Sequence, residues 1–176
     1  MGQKFTLGVG GAVVHDERLL LVHHAYGAKK WQIPGGYVKP RECAHEGIVR
    51  EVYEETGIRA EVDGLLGVRH RVKESDNSTY LIFRMKPLDR HNPTPDRREV
   101  DKARYFTLTE IEAFSPEEIP ALNQWVARCV LSGKPTLLLD QGDTDGLDRP
   151  YNLYISPGRR GQMEAKRKDT ASPFTF

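Results

Sequence analysis

The stretch Gly36–Ile58, GYVKPRECAHEGIVREVYEETGI, constrains this chain more than any other. Its glycines and Pro40 punctuate the start. The run from about Cys43 to Thr56 then reads as a helix closed by Gly57, a residue suited to the left-handed position after a last turn. A helix turns about 100° per residue, so with Gly47 at zero Glu54 falls at roughly −20°, Glu51 at roughly 40°, Ala44 at roughly 60° and Glu55 at roughly 80°. Ile48, Val49, Val52, Tyr53 and Thr56 fill the arc from roughly 100° to 240°. One face is apolar, and the arc beside it carries three carboxylates among small residues. Like charges four apart cost a helix roughly 0.2–0.5 kcal/mol per pair, and an interior glycine such as Gly47 costs about 0.5–1 kcal/mol against alanine. A divalent cation removes the repulsion, and hard cations such as Mg²⁺ take oxygen ligands and bridge to phosphates. A solvated acidic helix face is the plain alternative, and the wheel alone does not choose between the two.

The spacing adds what the wheel lacks. Gly36, five residues, Glu42, seven residues, Arg50-Glu51-Val52, one residue, Glu54-Glu55, one residue and Gly57-Ile58 match every position of the Nudix box. The chain therefore resembles the Nudix hydrolase superfamily, in its MutT-like form. The resemblance is close over the box, looser from about Thr6 to Phe106, and absent over roughly the last 45 residues. It implies an α/β (α+β) fold, an αβα sandwich with a mixed β-sheet flanked by helices and a C-terminal extension, the box forming a loop–helix–loop. It also implies that Glu51, Glu54 and Glu55 match the family's principal metal ligands and that a backbone carbonyl of Gly35 or Gly36 adds another. Arg50 would pair with Glu42 and hold the helix against its approach loop; an ordinary surface ion pair is the alternative. The chain has Arg41-Glu42 where the family often has Gly-Glu, and Gly47 where it often has Ala. Neither change alters the charge of a ligand.

Composition narrows the setting. At 176 residues, 38% of them hydrophobic, the chain suits one domain with a modest core. The net charge of +1 gives no case for bulk attraction to nucleic acid or lipid. Cys43 and Cys129 make no disulfide framework, which fits a reducing cytoplasm. No apolar run approaches the ~20 residues that cross a bilayer, and no signal-peptide pattern is present. Met1–Thr6 fits the degenerate N-myristoylation pattern, but a single acyl chain anchors only marginally.

Around the box, Thr6–Val14 and Leu19–His23 read as a hairpin about a turn at His15–Arg18. The glycines at 8, 10 and 11 permit close backbone approach. Trp31–Ile33 reads as extended before Pro34. Arg59–Arg71 reads as a long strand bent at Gly64 or Gly67, Glu74–Ser78 as a turn, and Thr79–Met85 and Ala103–Phe106 as strands. Thr109 opens a helical turn. Ser115-Pro116-Glu117-Glu118 signals a helix through about Leu131, with Pro120 as a break or a fresh start. Residues 1–132 form the catalytic domain on this reading. Residues 133–158 are an extension whose strand-like runs, Thr136–Asp140 and Tyr151–Ser156, form a hairpin that packs on the domain or pairs with another subunit in a homodimer. Residues 159–176 are a basic, disordered tail.

Nudix enzymes hydrolyse a nucleoside diphosphate linked to another group, so the resemblance implies a Mg²⁺-dependent (or Mn²⁺-dependent) pyrophosphohydrolase with a soluble nucleotide substrate. Such chemistry needs cations on the phosphates, a positioned water and a base. Glu99 is the leading base outside the box, with Asp96 and Asp101 as rivals. Arg69 and Arg71 share one strand face and would grip phosphates. His24, Tyr26 and Tyr37 would line the pocket, with His23, Lys29 and Lys30 near. Trp31 is either a stacking residue or core. No Cys/His cluster supports zinc. The motifs for NADH, dinucleoside polyphosphates and coenzyme A are missing. Nucleoside triphosphates, including oxidised ones, remain beside ADP-ribose and nucleotide sugars. Two rivals stand against the enzyme reading: a nucleotide-sensing Nudix module without catalysis, which the full carboxylate arc argues against, and an RNA 5′-end processor, which only the basic tail supports.

Overall fold

Continuous runs of buried apolar and small residues make the first two strands, β1 (Lys4–His15) and β2 (Arg18–His24), an antiparallel hairpin with Val14 opposite Leu19. Asp16 and Glu17 take positive φ values of 47° and 57° to turn the chain. The computed structural model describes residues 4–73, 76–89, 91–133, 135, 137–140 and 154–155. Two short strands follow, β3 (Trp31–Gln32) on β2 and β4 (Gly35–Tyr37) on β1. Then come helix α1 (Ala44–Thr56) and the long strands β5 (Ala60–Lys73) and β6 (Asp76–Pro87). Strand β7 (Val100–Phe106) and helices α2 (Leu108–Glu112) and α3 (Ala121–Leu131) complete the core.

The sheet runs β3-β2-β1-β6-β5, with β4 added on β1 and β7 on β2. β1 and β6 are parallel and the other pairs antiparallel, so the sheet is mixed and flanked by helices. Ile48 and Val52 of α1 bury against Val9, Val13, Phe83 and Met85 on one side. Val126, Ala127 and Val130 of α3 bury against Ala12, Leu21, Ile82 and Phe106 on the other. Each fully buried Ile or Val side chain contributes about 1.5–3 kcal/mol, which outweighs the weak intrinsic helicity of a glutamate-rich α1.

Helix α1 begins at Cys43, whose backbone N–H donates to the Glu46 carboxylate at 3.0 Å. It ends at Gly57 with φ 68°, whose N–H donates to Tyr53 O at 2.8 Å.

Several boundaries differ from the sequence reading. Asp76–Ser78 is strand rather than turn, because Asp76, Asn77 and Ser78 pair with both β1 and β5. β7 begins at Val100, since His24 and His23 of β2 pair with Val100 and Lys102 across a bulge. β5 shifts register at both suggested glycines. Ser115–Ile119 closes as turns, and α3 starts afresh after Pro120, which has no N–H to give to a preceding turn. β4 was not expected at all. Its three residues are too few and too glycine-rich to show strand character, and pairing with Gly8–Gly10 imposes it.

Beyond the core, Leu138 exchanges both backbone hydrogen bonds with Leu65 of β5. Strand β8 (Leu139–Asp140) pairs antiparallel with β9 (Tyr154–Ile155). Residues 159–176, read as a tail, and the start of the Met1–Thr6 motif lie outside the described residues. Among the described residues no helix is long and apolar enough to cross a membrane.

One buried polar contact aligns the approach to α1. Asn123 of α3 is 3% exposed, and its Oδ1 accepts the Ile33 N–H at 3.0 Å, just before Pro34 and the paired glycines. Asn123→Ala strands that buried N–H and should lower stability by about 1–3 kcal/mol, read as a shift in the urea midpoint at unchanged slope.

Candidate active site

Of the four carboxylates of α1, Glu51, Glu54 and Glu55 line one cleft, and their surroundings differ. Glu54 is half exposed. Glu51 has a side chain 14% exposed, and its carboxyl group lies so close to Gly36 that a Cβ there would come within 2.6 Å of it. Glu55 is 3% exposed and accepts the Gly35 N–H at 2.9 Å. No cation pairs with Glu55 among the described residues. Burial, and then the charges of Glu51, Glu99 and Asp96, push its pKa up to about 8 against the single stabilising bond from Gly35.

Arg50 organises the rest. Its Nε and Nη2 donate to the two oxygens of Glu42 at 2.7 and 2.9 Å, Nη1 donates to Glu51 at 2.7 Å and Glu54 at 2.9 Å, and Nη2 reaches Tyr37 O at 3.2 Å. Glu42 also accepts the Lys39 N–H at 2.8 Å. The guanidinium beside it lowers the Glu42 pKa to about 2. A Cβ on Gly47 would come 3.1 Å from the Glu42 carboxylate, so glycine leaves that carboxylate room against the helix.

Arg50, Glu51, Glu54 and Glu55 line a cleft of about 1100 Å³ together with His24, Tyr26, Gln32, Tyr37, Lys39, Tyr80, Asp96, Arg98 and Glu99. Tyr26 and Tyr37 are both well exposed in it. The three acids proposed as bases part company. Asp96 spends its carboxylate on the backbone N–H groups of Arg98, Glu99 and Val100. Asp101 lies 2.6 Å from His23 Nδ1, and neither lines the cleft. Glu99 faces the cleft, with Tyr26 OH donating to it at 3.5 Å.

Other candidates fall elsewhere. Trp31 packs on Phe106, with ring centroids 4.8 Å apart, and is core. Lys30 donates to Pro116 O, and Lys29 does not line the cleft. Arg71 is exposed on β5. Arg69 stands behind the cleft wall, over the Tyr80 ring at 5.3 Å.

Sequence reasoning missed Tyr80, Lys39, Gln32 and Arg98. Tyr80 sits two strands beyond β4 in the chain, on β6, and reaches the cleft by lying across β1, where its ring fills space that a Cβ on Gly8 or Gly10 would take. Only the unexplained glycines of β1 hinted at it.

The NUDIX domain family model matches residues 4–129. The chain belongs to the Nudix family. The MutT-like protein of Streptomyces ambofaciens is 39% identical over 82 residues, 47% of this chain and 52% of that protein. The human nucleoside diphosphate-linked moiety X motif 6 is 35% identical over 88 residues, 46% of this chain and 28% of that protein. The chain thus spans about half, or less, of the length of these curated relatives. Among solved structures, a NUDIX hydrolase from Nitrosomonas europaea superposes with a TM-score of 0.65 at 25% identity, covering 77% of this chain and 94% of that one. Nudix hydrolases act on phosphorus-containing anhydrides and generally use a divalent metal.

The donor set suits such an ion in chemistry: all-oxygen, acidic, and with one buried carboxylate lacking a cation. The arrangement is not a finished cage. Among the described residues no three His, Cys, Asp or Glu side chains are placed to hold a metal as they stand. Arg50, which binds Glu51 and Glu54, accounts for that.

Two pH effects of opposite sign follow. Glu42, its pKa lowered to about 2, stabilises the fold fully above its ordinary value and loses that contribution as pH falls toward 2. Glu42→Gln should therefore cost about 1–3 kcal/mol at pH 7 and nothing near pH 2. Glu55, its pKa raised to about 8, holds a proton that the unfolded chain releases. It lowers the stability of the metal-free protein progressively as pH rises from the ordinary carboxylate range to about 8. Glu55→Gln should raise the melting temperature in EDTA at pH 8.5 (about half a unit above that pKa) and leave it unchanged at pH 4. Thermal melts of both variants across pH check both.

Proposed function

We propose that this chain is a Mg²⁺-dependent pyrophosphohydrolase that cuts the diphosphate linkage of a soluble nucleoside diphosphate derivative, either a nucleoside triphosphate, oxidised forms included, or an ADP-ribose or nucleotide-sugar type of substrate. The observation that carries it is Glu55: a buried carboxylate with no cation, beside Glu51 and Glu54 in an open cleft. A soluble sensor needs no such unpaired charge.

Glu51, Glu54 and Glu55, with a backbone carbonyl of Gly35 or Gly36, would hold the ion. Bound there, the metal supplies charge neutralisation at the phosphates and lowers the pKa of a coordinated water. Glu99 would be the base, because it lines the cleft while Asp96 spends its carboxylate on backbone N–H groups and Asp101 lies against His23. Tyr26 and Tyr37 offer exposed rings for a base or sugar, and His24 lines the same wall. Arg50 screens Glu51 and Glu54 from each other's charge, and Lys39 Nζ stands 3.7 Å from Glu54. Residues 1–132 carry this activity, and Leu138 of the following segment pairs with Leu65 of β5. Cys43 and Cys129 are both free, which fits a reducing cytoplasm.

The test is product release from a panel of substrates with Mg²⁺, with and without EDTA. The panel holds unmodified and oxidised nucleoside triphosphates, ADP-ribose, nucleotide sugars and 5′-triphosphate RNA. Metal-dependent cleavage of one class is the expected result. Glu54→Gln and Glu55→Gln should each lower turnover at least ~10²-fold with the fold intact, as loss of charge at a phosphoryl site does. Glu99→Gln should lower kcat ~10²-fold and flatten the acid limb of the pH profile. Tight nucleotide binding without cleavage of any panel member would replace the enzyme with the sensor.

A further inference from the structure

Tyr80 enters the cleft from the sheet, and the fold leaves its hydroxyl without a partner. The residue lines the cleft with Gly35, Gly36, Glu51 and Glu55. It stands on β6 directly opposite Gly8 of β1, and its ring lies across that strand. A Cβ on Gly8 would come within 2.7 Å of the ring, a Cβ on Gly10 would collide with the hydroxyl, and a Cβ on Gly35 would stand 2.9 Å from that oxygen. Arg69, which does not line the cleft, keeps its guanidinium over the ring at 5.3 Å. Three glycines and one cation thus fix the ring, and the hydroxyl ends beside Gly35, whose N–H donates to the Glu55 carboxylate at 2.9 Å. Among the described residues that hydroxyl makes no hydrogen bond, and it is not one of the polar atoms sealed from solvent. It opens into the cleft at the end where Glu55 lies.

Neighbouring donors are committed. Arg50 serves Glu42, Glu51 and Glu54. Lys39 Nζ stands 3.7 Å from Glu54, and Tyr26 donates to Glu99 at 3.5 Å. A phenol has an ordinary pKa of about 10, and burial, with Glu55 beside it, moves that of Tyr80 further up. At neutral pH the group is a donor and not a base. A cation in its place would repel a metal ion on the carboxylates; a neutral O–H donates without that conflict.

We propose that the Tyr80 hydroxyl donates a hydrogen bond to a phosphate oxygen of the diphosphate held at the α1 carboxylates, which makes Tyr80 a substrate-contacting residue of the cleavage. This rests on the hydrolase reading. The glycine slot fixes the donor before the substrate arrives, so nothing has to reorganise as charge builds on the phosphate. A tyrosine kept only to fill the space over Gly8 would leave its oxygen idle, and phenylalanine would serve as well.

Tyr80→Phe separates the two, because it keeps the ring, the slot and the Arg69 contact and removes only the oxygen. Methylenediphosphonate, which is not cleaved, is titrated calorimetrically into the Mg²⁺-saturated protein and into the Mg²⁺-saturated variant. The variant should bind it at least ~10-fold more weakly, as loss of one hydrogen bond to a charged group allows. Mg²⁺ alone, titrated into the metal-free proteins, should bind both equally. The melting temperature should not fall, since the hydroxyl has no partner in the fold to lose. With whichever member of the substrate panel is cleaved, kcat/KM of Tyr80→Phe should drop at least ~10-fold. Equal diphosphonate affinity of the two proteins, no diphosphonate binding by the unaltered one, a loss matched by weaker Mg²⁺ binding, or a lowered melting temperature would each overturn the contact. Absence of cleavage of every panel member by the unaltered protein would defeat the hydrolase reading, and the phosphonate titrations would still decide the contact.

Discussion

Everything in the cleft hangs on the four-way engagement of Arg50. One guanidinium answers Glu42, Glu51 and Glu54 and a carbonyl of β4, with a side chain only 20% exposed. Taking away one partner of such a group leaves a charge in a poorly solvated place, at about 3–5 kcal/mol for a fully buried pair. So the approach loop, the helix and β4 are fixed as one body. The same engagement explains why Glu55 is left over. It lies on the far edge of the carboxylate arc, where the guanidinium does not reach, and it has only the Gly35 N–H for company. An unpaired carboxylate in that position is a debt that the fold alone does not settle. Neutralisation by a proton at low pH, or by a cation at working pH, settles it.

The glycines of β1 and β4 show a second cost accepted for the site. A glycine inside a strand is worse than alanine by roughly 0.5–1 kcal/mol, and this small region uses several. Gly11 admits Ile48 and Val52 of α1, since a Cβ there would meet Val52 at 2.9 Å. Gly36 admits the Glu51 carboxylate, and Gly8 and Gly10 admit the Tyr80 ring. Backbone is thinned wherever a functional side chain has to lie flat on the sheet. The stability lost is recovered in the two apolar clusters on either face, where Phe83, Met85, Leu19 and Leu21 are fully buried.

What could be read from the sequence was local. The apolar stripe of α1, its stop at Gly57 and the position of the glutamates are set by a period of 3.6 residues, and the observed helix follows it. Strand cores were legible for the same reason. Strand ends were not, because Asp76–Ser78 owe their extended form to partners on both sides rather than to their own preferences. The site divides along the same line. Glu51, Glu54 and Glu55 lie on one element and were legible together. Tyr80 and Asn123 reach the site across strand pairings and a helix contact that no spacing along the chain encodes. Strand alternation puts Arg69 and Arg71 on one face, but alternation cannot say that Arg69 stacks on a tyrosine while Arg71 is exposed. The sequence puts Glu99 ahead of Asp96 and Asp101 only by its place before an aromatic strand, and the folded loop separates them physically, by spending two and sparing one.

That loop is tied to the helix whose carboxylates it faces. Thr94 N–H donates to Thr56 O at 2.7 Å, His91 Nε2 lies 3.0 Å from Gly57 O, and Arg59 holds Asp89 at 2.9 Å. The loop is thus sewn to the C-terminal end of α1, where carbonyls left without helical partners accept its donors. Glu99 and Glu55 therefore share a frame, although they are far apart in the chain. A base and a metal-binding carboxylate must keep their relative position to within fractions of an ångström to be useful. A loop held by its own sequence would not ensure that, whereas one fastened to the last turn of α1 moves only as that turn moves. The cleft then presents Glu51, Glu54, Glu55, Asp96 and Glu99 against the cations Lys39, Arg50 and Arg98. Carboxylates outnumber cations in a partly buried space. Such an excess holds only weakly against its own repulsion, and it is relieved when a divalent ion enters with its anion.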